Sequence, residues 1–310
     1  MSGVIVGFGV IASVVAIGYM LGRLPLLGPS AREVLNRLAF YVASPALLFT
    51  ILARTDLSIL FSARVLVSVL SVLVVALCFL LVGLIRRWGV GRTTVGVLGS
   101  SYVNAGNLGI PISAYVLGDA SLVAPILLFQ LLVLAPVSLT VLDLNNGRVR
   151  GFWPVLRRSL GTPVRNPVVI ASLAGVAVSA SGLRIPGPLM EPFDLVGGMA
   201  VPAMLLAFGI SLPGSPMPGR GGPEQGPVLL AVTLKSVGQP LAAWALAALA
   251  FGLEGAALFS VVVLAALPTA QNVFNYATHY RTGEVLTREV VLLSTFLTIP
   301  ALFTITFLLG

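Results

Sequence analysis

The spacing of its apolar runs limits the fold of this chain more than any other feature. Stretches of about 20 predominantly apolar residues recur from end to end, each long enough to cross about 30 Å of hydrocarbon as a helix. Of the 310 residues 57% are hydrophobic and only 9% charged, and the mean hydropathy is +1.05. A soluble domain carries roughly a quarter charged residues. Inside lipid every backbone N–H and C=O must be satisfied, which leaves helices or closed barrels. Alternating strands of the barrel type are absent from the pattern. The fold class is therefore an all-α polytopic membrane protein.

Ten spans are expected. The first five lie near Val4–Gly22, Val34–Ala53, Val65–Ile85, Thr94–Leu117 and Ser121–Leu144. The second five lie near Pro167–Ser181, Pro188–Leu212, Pro227–Gly252, Ala256–Tyr280 and Val285–Leu309. The opening run "MSGVIVGFGVIASVVAIGYMLG" has no basic segment and is followed by further spans, so it reads as a first helix rather than a cleaved signal. "PGSPMPGRGGPEQGP", Pro213 to Pro227, cannot continue a helix and reads as a linker. The single cysteine, Cys78, lies mid-span and is read as a small core residue.

A pI near 10.5 could suggest a nucleic-acid partner. No basic stripe with interleaved aromatics appears, so nucleic acid is excluded as a partner and the bilayer takes its place. The arginines instead sort by side. Loops on one side carry fourteen: Arg23, Arg32, Arg37, Arg86, Arg87, Arg92, Arg148, Arg150, Arg157, Arg158, Arg165, Arg220, Arg281 and Arg288. The other side has three, Arg54, Arg64 and Arg184, and Lys235 falls inside a span. Positive residues mark the cytoplasmic face, so both termini are expected outside the cytoplasm.

An internal repeat is also legible. "SPALLFT" around Pro45 in span two resembles "VPAMLLAF" around Pro202 in span seven, 157 residues later. The same offset carries Pro111, which ends "NAGNLGIP" in span four, onto Pro268 of "LPTAQNVFNY" in span nine. Two five-span halves, residues 1–145 and 167–310 joined by a cytoplasmic connector at 146–166, must enter the membrane with opposite orientations. That is the inverted repeat of secondary transporters, in which broken spans build the site.

The two proline spans carry the chemistry. A proline removes an intrahelical hydrogen bond, and irregular backbone survives in a membrane only when buried in protein or facing a water-filled cavity. Gly106 and Gly109 ease unwinding before Pro111, and Asn104 and Asn107 supply uncharged donors and acceptors. After Pro268 come Thr269, Gln271, Asn272 and Asn275, the last two on one helix face. A half-helix start presents free N–H groups and a positive dipole end, suited to an anion.

With "NAGNLGIP", "LPTAQNVFNYATHY" and "SPALLF", the chain resembles the auxin efflux carrier family across essentially its whole length. The resemblance implies a five-plus-five inverted-repeat fold, similar to that of the bile acid–sodium symporters. Spans 1, 2, 6 and 7 would form a scaffold, and spans 3, 4, 5, 8, 9 and 10 a transport domain crossing at Pro111 and Pro268. It further implies a small organic anion substrate met by Asn104 or Asn107, a homodimer through the scaffold, and the cell membrane as location.

Charges within spans mark function by default. Lys235 either snorkels to the cytoplasmic interface or stands as a fixed positive charge, attracting a carboxylate or occupying a place where another carrier would hold a cation. No buried carboxylate offers an obvious proton carrier, and His279 reads as an interfacial hydrogen-bonding residue. No metalloprotease motif, carboxylate cluster, Ser/His/Asp set or phosphate loop appears, so neither an enzyme nor a cofactor is expected. The function implied is a secondary transporter of a small carboxylate by alternating access. A channel and a sodium-coupled symporter are the rival readings.

Overall fold

A computed structural model describes residues 2–24, 26–55, 62–145, 166–183, 185–213 and 225–310. Most of the connector at 146–166, most of the Pro213–Pro227 linker, and Arg148, Arg150, Arg157, Arg158, Arg165, Arg184 and Arg220 lie outside the described residues. The described chain is helical, and its only β-type pairing is one isolated bridge.

The helices in chain order are α1 (Ser2–Arg23), α2 (Ala31–Arg54), α3 (Ala63–Ile85), α4 (Val90–Ser101), α5 (Ile110–Tyr115) and α6 (Ala120–Asn145). They continue as α7 (Pro167–Ser181), α8 (Gly187–Ser211, interrupted at Met199), α9 (Gln225–Ala250), α10 (Gly255–Ala265), α11 (Gln271–Tyr280) and α12 (Glu284–Leu309). Six of these, α2, α3, α6, α8, α9 and α12, are long and apolar enough to cross a membrane. Local chemistry sets several ends. The Asn166 side chain accepts from the Val168 and Val169 N–H groups to start α7, and Gly182 closes it in the left-handed conformation at φ 67°.

The long helices accommodate internal prolines by widening a turn. Four of the five π turns among the described residues end two positions before a proline: Ala39–Ala43 before Pro45, Ala105–Gly109 before Pro111, Gln130–Leu134 before Pro136 and Leu234–Gly238 before Pro240. Proline has no N–H and its ring crowds the carbonyl four residues back; the wider turn relieves both without ending the helix.

The chain divides into two compact units. The first holds residues 1–61, 105–127 and 164–217, and thus α1, α2, α5, α7, α8 and the start of α6. Within it α1 packs on the Ala200–Ser211 half of α8, and α7 packs on the Ser44–Arg54 half of α2. Glycine makes both approaches possible. A Cβ on Gly18 would lie 2.5 Å from the Leu206 carbonyl oxygen, and one on Gly175 would lie 2.8 Å from that of Phe49. Arg54 and Asp194 add a two-pronged ion pair at 3.0 and 2.7 Å between α2 and α8.

The second unit holds residues 62–104, 128–163 and 218–310, and thus α3, α4, most of α6, and α9 to α12. Its core includes Phe79, Val95, Leu142, Val232, Ala277 and Val290. The outward face of α3 is a run of exposed leucines, among them Leu73, Leu77, Leu81 and Leu84. Cys78 is exposed on this helix and is not a core residue as the sequence suggested. An apolar span has two apolar environments, protein and lipid, and hydropathy does not separate them.

Candidate functional site

The second unit contains two helix ends that face each other. Helix α4 stops at Ser101, where the hydroxyls of Ser100 and Ser101 both turn back to the Val97 carbonyl, at 3.0 and 2.6 Å. Helix α10 stops at Ala265, three residues before Pro268, whose ring is incompatible with a carbonyl one turn earlier. The non-helical residues that follow pair with each other. The Asn104 N–H donates to the Pro268 carbonyl at 2.8 Å, and the Ala270 N–H donates to the Tyr102 carbonyl at 3.0 Å. Val103 and Thr269 thereby form a one-residue antiparallel bridge.

Buried backbone groups need partners, and the remaining ones at this bridge find them in side chains. The Val103 N–H donates to Gln130 Oε1 at 2.6 Å, and Gln130 Nε2 donates to the Val103 carbonyl at 3.1 Å. The Thr269 N–H donates to Ser294 Oγ at 3.1 Å, while Thr269 Oγ1 donates to the Gly99 carbonyl at 2.6 Å. Carbonyls released at the end of α10 are also taken: Ala266 by Thr298 Oγ1 at 3.2 Å and Ala265 by Lys235 Nζ at 3.2 Å. Gln130, Ser294 and Thr298 were not distinguished in the sequence. Their only signal is polarity inside an otherwise apolar run, with the partners 25 to 32 positions away.

Of the break, amide and in-span charged residues singled out in the sequence, Asn104, Lys235, Pro268, Thr269, Gln271, Asn272 and Asn275 belong to this unit. Gln271 and Asn272 open α11, and Ala270 at its N-cap has no side chain to offer the first-turn N–H groups. Asn272 and Asn275 lie on the exposed face of that helix. Lys235 is fully buried and does not snorkel; its ammonium donates to Gln239 Oε1 at 2.5 Å as well as to Ala265. Asn107, Gly106, Gly109 and Pro111 fall in the first unit. Asn107 and Gly106 lie in the π turn Ala105–Gly109, and Pro111 follows it as the second residue of α5, where the widened turn accommodates its ring.

The bridged residues Val103 and Thr269 are 166 positions apart in the chain. One sequence expectation changes in this unit. Buried carboxylates are present, contrary to the sequence reading: Asp143 accepts from the Tyr280 hydroxyl at 2.9 Å, and Glu289 pairs with Arg288 at 2.9 Å. Among the described residues no three His, Cys, Asp or Glu side chains converge as metal ligands would.

A family model described as membrane transport protein matches residues 9–152 and 138–306. The chain belongs to this family. These are the auxin efflux carrier-like membrane transporters, and the members named among its relatives are transporters rather than enzymes. A Rhizobium meliloti (strain 1021) protein named "Putative malonate transporter" is 27% identical over 290 residues, 91% of this chain and 88% of that one. A Methanothermobacter thermautotrophicus (strain Delta H) protein named "Uncharacterized transporter" is 32% identical over 203 residues, 64% of each chain. This member of the membrane transport family is thus a multi-pass membrane protein, and the paired break lies within the matched region.

Proposed function

We propose that this chain is a secondary transporter of a small carboxylate, working by alternating access, with its anion site at the paired break of the second unit. The observation that carries the reading is the start of α11. Its first-turn N–H groups have no side-chain cap, and the amides of Gln271 and Asn272 flank them. A helix N-terminus of this kind holds a carboxylate through backbone donors and the positive dipole end, while amides orient it without a competing charge. Asn104 is held at the same break by its bond to Pro268, and Asn107 follows it by three residues of chain. The relative named for malonate makes a dicarboxylate of that size the first substrate to try.

The architecture that goes with this function is ten spans in two inverted halves. In that count α4 with α5 is one broken span and α10 with α11 another. The close contacts of the first unit support it. Gly18 and Gly175 are 157 residues apart, as are their partners Phe49 and Leu206 and the prolines Pro45 and Pro202. The α1–α8 contact is thus repeated as the α7–α2 contact with the roles of the halves exchanged. The unit of α1, α2, α7 and α8 would be the scaffold and dimer surface, and the unit with the break would carry the anion across the cell membrane.

A thermal-shift screen of the purified protein against malonate, succinate, acetate and indole-3-acetate, followed by uptake into liposomes, tests the reading. Malonate should raise the melting temperature and be taken up saturably. Asn272→Ala should abolish both effects without lowering the melting temperature of the ligand-free protein. Stabilisation by cations or neutral solutes alone would overturn the assignment, and large unitary currents would make the protein a channel.

A further inference from the structure

Two backbone outliers in the second unit put arginine where glycine is the usual residue. Among the described residues the only non-glycine positions with positive φ are Arg87 at 53° and Arg281 at 51°. Each closes a helix in the same way. At the end of α3 the Arg87 N–H donates to the Leu84 carbonyl at 3.1 Å, and the Trp88 N–H donates to that of Gly83 at 3.0 Å. At the end of α11 the Arg281 N–H donates to the Thr278 carbonyl at 3.2 Å, and the Thr282 N–H donates to that of Ala277 at 3.0 Å. This closure needs one left-handed residue, a conformation that glycine adopts without the crowding a Cβ brings. A basic side chain near a helix C-terminus complements the dipole and marks the membrane side. Arg86 at the cap of α3 and His279 in the last turn of α11 already stand there. Neither task requires arginine at the strained position itself.

The two turns lie against each other. A Cβ on Gly91 would stand 2.8 Å from Thr282 Oγ1, and one on Gly283 would stand 2.5 Å from Val95 Cγ2. Gly91 adjoins Arg92, whose guanidinium lies 5.8 Å from the centre of the Trp88 ring, and Trp88 in turn meets the core residue Phe79 at 5.5 Å. Arg86, Arg87 and Arg281 are exposed, and among the described residues no acidic side chain pairs with them. Leu77, Leu81, Leu84 and Ile85 of α3, which lead up to Arg86, are exposed as well. Unshared guanidinium charge, a tryptophan beside it and an apolar stripe running away from both match an amphiphile with an acidic head. We propose that the turns ending α3 and α11 form a seat for an anionic phospholipid, with Arg86, Arg87 and Arg281 holding its phosphate and the α3 leucines its acyl chains. A free phosphate would use the arginines and leave the leucines idle.

The test titrates the purified full-length protein in detergent with dioleoylphosphatidylglycerol, dioleoylphosphatidylcholine and glycerol phosphate, reading bound lipid by native mass spectrometry and melting temperature alongside. Phosphatidylglycerol should bind and raise the melting temperature, less so as salt is added; the zwitterionic lipid and glycerol phosphate should do neither. Each arginine at a membrane surface strengthens association with acidic lipid about fivefold, so Arg87→Gly/Arg281→Gly should bind phosphatidylglycerol about 30-fold more weakly. Without lipid the same variant should melt no lower than wild type, because glycine suits both closures. If it does melt lower, Arg87→Asn/Arg281→Asn, which also tolerates the left-handed conformation, carries the comparison. Equal binding of the two lipids overturns the proposal, and so does undiminished binding by the variant. Stabilisation by glycerol phosphate equal to that by the lipid makes the seat one for a free anion and overturns the lipid assignment. A matching loss in Arg23→Gln/Arg32→Gln, two arginines of the first unit, reduces the effect to bulk charge and overturns it too. Transport is not a readout in any arm, so the result is independent of which solute the protein carries.

Discussion

Gln130 satisfies with one side chain the two backbone groups that helix α4 would have satisfied had it continued past Ser101. Its amide is self-complementary to a peptide group, and it meets both the N–H and the C=O of Val103. Gln130→Leu conserves the volume but orphans both groups at a fully buried position, at a cost of about 1–3 kcal/mol for each. Its melting temperature in detergent should fall clearly below wild type. Gln130→Glu keeps an acceptor for the N–H but places a carboxylate against the carbonyl, and should fall further still. Equal melting of wild type and Gln130→Leu would refute the clamp. A lone glutamine in "LLFQLLV" does not disclose this in the sequence, because its partner is a backbone rather than another polar side chain. The amides around Pro111 and Pro268 were conspicuous because they cluster; Gln130 stands alone.

Among the elements, most helix ends were legible to within a few residues, although α4 begins at Val90 rather than at Thr94. Pro167–Ser181 has the same ends in sequence and structure, since an Asn-Pro start and a Ser-Gly end are local signals. What hydropathy did not disclose is which face of each helix meets protein. Glycine contacts sort this out, and they separate two kinds of glycine. Gly18→Val and Gly175→Val would drive a side chain into a neighbouring carbonyl and should each destabilise by about 1–3 kcal/mol, as overpacking does. Gly106 has open space where a Cβ would stand and no positive φ, so Gly106→Ala should melt no lower than wild type. Thermal unfolding of the three variants side by side checks the distinction. A Gly18→Val protein as stable as wild type would contradict the close α1–α8 approach.

For the whole molecule, the strongest sequence statement concerns orientation rather than packing. Fourteen arginines on one set of loops against three on the other are the ground for expecting both termini outside the cytoplasm. A C-terminal alkaline phosphatase fusion should therefore be active in a bacterial host and a C-terminal green fluorescent protein fusion dark, with the reverse pair reporting a cytoplasmic terminus. The 157-residue spacing read from the prolines also separates Gly18 from Gly175 and Phe49 from Leu206, the close contacts among α1, α2, α7 and α8.

The Val103–Thr269 bridge also has a consequence for how the protein is made. At roughly 5–20 residues per second, 166 residues of synthesis separate the two strands by about 8–33 s. Throughout that interval the Tyr102 carbonyl and the Asn104 N–H await partners the ribosome has not yet produced. Gln130 arrives only 27 residues after Val103, soon enough to hold that peptide while the second half is synthesised. Truncated chains ending before Pro268 should thus be the forms most exposed to membrane quality control, and loss of Gln130 should be felt first in the yield of nascent protein.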